Sequence, residues 1–204
     1  MTDNFALLDE PRRPWLDAAA LKEKFLARSA QVHPDRVHQA PEAERIAASQ
    51  RYAELNSAYN CLREPVERLR HLLELELGAK PAAIHRAPAE IMDSSFEVGQ
   101  LCREVDFFLV KNAAVTSPIL KVAWFERAQE WSEKLKALGQ GINARRAGLL
   151  AELAAMNPAW ESAQAAGVDR AGLPLERLEE IYRRLSYLAR WSEQIQERTV
   201  QLSF

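Results

Sequence analysis

Residues 33–35, His-Pro-Asp, are the first place where types and spacing suggest chemistry. An imidazole two residues from a carboxylate could serve acid–base catalysis. However, no nucleophile with a local base, Gly-rich phosphate loop or metal-ligand spacing accompanies it. The other histidines, His38, His71 and His85, are scattered. The two cysteines, Cys61 and Cys102, form no Cys-x-x-Cys pair. They make neither a disulfide framework nor a zinc site alone, and a cluster normally needs four protein ligands. The chain is therefore expected to carry no cofactor and no metal, and to be no enzyme in its own right. Taken alone, His33-Pro34-Asp35 reads as a helix stop followed by a turn.

The elements around the tripeptide give it a setting. Asp17 is a good N-cap, and Leu21, Phe25 and Val32 recur at helical spacing up to Pro34. Proline at 34 disfavours helical geometry at 33, so the first long helix should stop there. A polar loop runs from His33 to Pro41, and a second long helix is expected from Pro41 to Leu62. Its apolar positions are read as Ile46, Tyr52, Leu55, Tyr59 and Leu62. Pro65 opens a helix to Leu77, with Gly78 as its C-cap. Phe5–Leu8 forms a short apolar turn before these. Gly78, Pro81 and Pro88 mark a linker over 78–88. Beyond it, helices are expected over 89–111 and 118–138. The latter could extend to Met156 with a bend at Gly139 and Gly141, and a broken stretch should follow over 157–173. A last helix runs from Pro174 to about Val200.

The whole chain supports this reading. Its 204 residues hold only 7 Gly, and hydrophobic residues make up 48%. Ala, Leu, Glu and Arg dominate, and no stretch alternates apolar with polar, so the fold is expected to be all-α. Lys+Arg 27 against Asp+Glu 29 gives a net charge of -2. That balance disfavours nucleic acid. No run approaches a spanning helix and no secretory signal opens the chain, so a cytoplasmic protein that binds no membrane is expected.

Residues 4–77 resemble a J-domain. The matching parts are Phe5–Leu8, the helix before His33, the helix through Leu55-Asn56-Ser57-Ala58-Tyr59, and the helix from Pro65. The resemblance implies an antiparallel hairpin whose loop presents the tripeptide to a 70-kDa heat-shock chaperone and accelerates its ATP hydrolysis. Asp35 would engage a positive group there while His33 and Pro34 shape the loop. Lys22, Lys24 and Arg36 would add an electrostatic face, unless they are ordinary solvated residues. In most J-domains the position five before the tripeptide is a core Leu; here it is Arg28.

No Gly/Phe-rich segment or zinc region follows, which sets the chain apart from general folding J proteins. Phe5-Ala6-Leu7-Leu8-Asp9-Glu10-Pro11 and Leu55–Pro65, followed by Arg68 and Leu72-Leu73, resemble the HscB co-chaperones of iron–sulfur cluster assembly. That resemblance implies a J-domain over 1–77, a linker over 78–88, and a three-helix bundle over 89–204 that binds the iron–sulfur cluster scaffold protein. The scaffold face would hold Met92, Phe96, Glu97, Gln100 and Glu104, with Tyr187 on the last helix. Gln100 replaces an acid usual in the family. Met92, Phe96, Gln100 and Glu104 recur every four residues, a helical stripe that serves equally as core. The longer 139–173 segment keeps open a J-domain co-chaperone with a different client.

Overall fold

The computed structural model describes residues 2–81, 88, 91–112, 118–165 and 172–203. Among them are seven α-helices and no strand. These are α1 (Asn4–Leu7), α2 (Ala18–Gln31), α3 (Glu42–Arg63), α4 (Pro65–Leu77), α5 (Met92–Asn112), α6 (Pro118–Ala165) and α7 (Leu175–Gln201); a 3-10 turn, Pro34–Val37, joins α2 to α3. Most of the linker lies outside the described residues.

Packing divides the chain into two compact units. The first unites the described residues within 1–82 and 150–182, the second those within 83–149 and 183–204. The described residues within 150–182 thus group with the N-terminal segment, whereas the division read along the sequence put all of 89–204 in one bundle.

In the first unit α3 is the central element and packs against α1, α2, α4 and the 3-10 turn. Local signals set the boundaries. Asp17 accepts the Ala20 N–H at 2.8 Å, capping α2. Pro65 occupies the first turn of α4, where no donor is lost. Gly78 closes α4 in the left-handed conformation, φ 71°, and donates its N–H to the Glu74 carbonyl. Leu55, Ala58 and Leu62 are buried on α3, and Tyr59 stacks on Phe25 of α2 with centroids 4.3 Å apart. Ile46 departs from the expected face and is exposed. It lies nine residues from Leu55, two and a half turns, and so on the opposite side of the helix.

Helix α6 runs through Gly139 and Gly141 and on past Asn157 to Ala165, where a broken stretch over 157–173 was expected; residues 166–171 of that stretch lie outside the described residues. Pro158 lies inside it and removes one i→i−4 hydrogen bond. Burial offsets that cost: Leu153 and Trp160, two turns apart, contribute to the first unit's core with Leu178 and Ile181 of α7. Asn157 Nδ2 donates to the Trp15 carbonyl at 2.9 Å, and its Oδ1 accepts the Trp15 N–H at 3.1 Å. This segment is fastened to the loop before α2.

The second unit joins α5 to residues 118–149 of α6 and 183–201 of α7. Val98, Cys102, Val105 and Phe108 form the inner face of α5 against Leu135, Leu138 and Ile142 of α6 and Leu188, Trp191 and Ile195 of α7. Trp124 and Trp131 pack on the same core.

Candidate functional site

The His33-Pro34-Asp35 loop is ordered by its own backbone and by two histidines. The 3-10 turn is closed by Arg36 N–H donating to the His33 carbonyl at 3.0 Å. His33 Nδ1 accepts the Asp35 N–H at 3.3 Å, while the His38 Nδ1 proton points to the Asp35 carbonyl at 2.8 Å. His33 thus needs an unprotonated Nδ1 and His38 a protonated one. The His33 ring also meets Tyr52 of α3 edge-on, centroids 5.1 Å apart. These contacts consume backbone groups of Asp35 and leave its carboxylate outside, with 89% of the side chain exposed. The loop presents one anion on a fixed turn.

The basic residues nearby are not equivalent. Lys24 donates to the Asp9 carbonyl at 2.9 Å and pairs with Glu10 at the same distance. Arg36 reaches back to the Ala30 carbonyl at 3.3 Å. Lys22 is exposed on α2. Two of the three cations therefore also hold the domain together.

On α5 the ambiguity between core and surface resolves position by position. Met92 and Phe96 are 50% and 69% exposed, and Glu97, Gln100 and Glu104 are exposed beside them. Gln100 donates to Glu104 at 3.0 Å. Tyr187 differs. Its ring is half-buried against the second unit's core, 5.7 Å from Trp191, with the Arg190 guanidinium 5.4 Å over it. Tyr187 is thus partly core, unlike the exposed stripe of α5.

No protein-family model matches the chain. It is 30% identical over 184 residues to the co-chaperone protein HscB homolog of Cupriavidus taiwanensis, covering 87% of this chain and 89% of that relative. The chain belongs to the HscB co-chaperone family. A second HscB homolog, from Bordetella petrii, is 47% identical over 72 residues, a stretch spanning 35% of this chain and 42% of that relative. The fold is that of solved HscB structures. The Vibrio cholerae chaperone HscB superposes with a TM-score of 0.59 at 21% identity, over 98% of this chain and 99% of that one. Human co-chaperone protein HscB gives 0.62 at 19%, over 98% and 83%.

Within this HscB chain, Arg28 has a use that a core Leu would not. Its guanidinium donates to the Leu7 carbonyl at 3.2 Å and pairs with Asp9 at 3.4 Å, tying α2 to α1. Arg68 was legible only as part of the resemblance. It is buried, donates to Leu62 and Pro14 carbonyls at 2.7 and 2.9 Å, and burial pushes its pKa down to about 10. Both thiols are pushed up by burial. Among the described residues, no cluster of three His, Cys, Asp or Glu side chains is placed to hold a metal ion. No described helix is long and apolar enough to cross a membrane.

Phe107 and Val110, 71% and 78% exposed, were missed by the sequence reading. Their spacing from Phe96, 11 and 14 residues, continues the same helical line and was the available signal.

Proposed function

We propose that this HscB-family chain is a regulator of a partner's ATPase rather than an enzyme. It docks on a 70-kDa heat-shock chaperone through His33, Pro34 and Asp35, and brings it an iron–sulfur cluster scaffold protein held on α5. The observation that carries the reading is the Asp35 carboxylate, exposed on a turn whose backbone is already hydrogen-bonded. A ligand shifts an ATPase only by binding the hydrolysis-competent state better than the other state. A preformed anion meeting a positive group can supply that difference with little ordering entropy lost. Lys22, Lys24 and Arg36 act mainly on encounter rate.

The client end rests on Met92 and Phe96, exposed large apolar side chains bordered by Glu97, Gln100 and Glu104. Flexible Met and aromatic Phe suit a partner's docking surface. Tyr187 contributes through the part of its ring left open beside Arg190.

Single-turnover ATP hydrolysis by the purified chaperone tests the proposal. The wild-type chain is expected to accelerate it, and Asp35→Asn, which keeps the size and removes the charge, to abolish the acceleration. Equal stimulation by the variant overturns it. Stimulation with no binding of the scaffold protein by wild type would point to a different client of the same J-domain.

A further inference from the structure

Glu97, Gln100 and Glu104 have a second neighbour besides solvent. They form one wall of a groove of about 520 Å³ between α5 and α6, whose other wall carries Lys134, Gly141 and Arg145. Leu101 and Leu138 line it between the two walls. The α5 wall is anionic and the α6 wall cationic. Among the described residues no ion pair joins Glu97 or Glu104 to Lys134 or Arg145 across the groove. Lys134 instead lies over the Trp131 ring at 4.2 Å, and Arg145 donates to Ser94, on the buried side of α5. A Cβ added at Gly141 would meet nothing within 4 Å. The groove is open at that point and does not depend on the glycine for packing.

We infer that this groove is part of the client-docking surface, so that α6 as well as α5 grips the scaffold protein. The inference rests on the scaffold-binding reading of α5 and extends it to residues that reading does not include. Glu97 and Glu104 are two turns apart, about 10 Å. A scaffold segment fits when it offers a basic side chain to that wall, an acidic one to Lys134 or Arg145, and an apolar one between them over Leu101 and Leu138. Opposed charges on two walls also set the direction in which such a segment can lie, because reversal brings like charges together.

Gly141 gives a test independent of α5. Gly141→Leu places a bulky side chain in the groove while raising helix propensity, and Gly141→Ala raises propensity without filling it. Calorimetric titration of the full chain with the scaffold protein, beside Phe96→Asp, reads the outcome. The expected result is binding weakened about ten-fold or more by Gly141→Leu, little change for Gly141→Ala, and thermal midpoints at or above wild type for both. Lys134→Glu should weaken binding in the same direction, more at low salt. Wild-type affinity in Gly141→Leu together with loss in Phe96→Asp overturns the groove and leaves the α5 reading standing. Wild-type affinity in both variants removes the α5 reading as well.

Discussion

At the scale of single residues, the chain uses charged groups for two different ends, and burial separates them. Asp35 is left to solvent, whereas Arg68 is enclosed and holds the Leu62 and Pro14 carbonyls. Arg68→Met should strand both carbonyls at a cost of about 2–4 kcal/mol, seen as a lower urea midpoint. His71 is buried against Phe5, its Nε2 accepting the Asn4 N–H at 3.1 Å, and burial lowers its pKa below the usual 6.5. A group whose folded pKa is lowered binds more protons unfolded, so its contribution is present above about pH 6.5 and is lost as pH falls through the folded value. Acidification from pH 7 to 5 should therefore loosen α1, measurable as lower amide protection factors at Asn4 and Phe5 once the slower intrinsic exchange at acid pH is corrected for. The tripeptide was legible because three adjacent residues carry it. The part played by Arg68 was not, since its acceptor at Pro14 is 54 positions away.

At the scale of elements, the helices that end on local chemistry were read closely. Asp17, Pro65 and Gly78 act where their side chains or ring geometry say they should. Gly78→Ala is expected to cost about 1 kcal/mol, because an L side chain resists φ 71°; a thermal melt reads it as a lower midpoint. Elements governed by distant packing were read less well. A broken stretch was expected from 157, and a proline at 158 disfavours a helix locally, yet Leu153, Asn157 and Trp160 are buried on either side of it and the helix continues to Ala165. The α5 stripe illustrates the same limit from the other direction. A spacing of four could mean core or surface, and only the neighbouring set Val98, Cys102 and Val105, turned toward α6 and α7, decides that Met92 and Phe96 face out.

At the scale of the whole molecule, the segment that made the C-terminal half look unusual has a place in the first unit. Residues within 150–182 bring it Leu153, Trp160, Leu178 and Ile181, and Asn157 pairs with both backbone groups of Trp15. Asn157→Leu should leave that N–H and C=O unpaired at a cost of about 1–3 kcal/mol, with faster exchange of the Trp15 amide as its signature. The segment therefore supports the unit that presents Asp35. In the proposed function one chain links two partners by surfaces that can be broken independently. Capture of the scaffold protein on immobilised 70-kDa chaperone, at a scaffold concentration too low for direct retention, tests it most directly. The wild-type chain is expected to raise the amount captured, and Asp35→Asn and Phe96→Asp each to abolish the rise. Capture raised equally by either variant would rule out two separate docking surfaces.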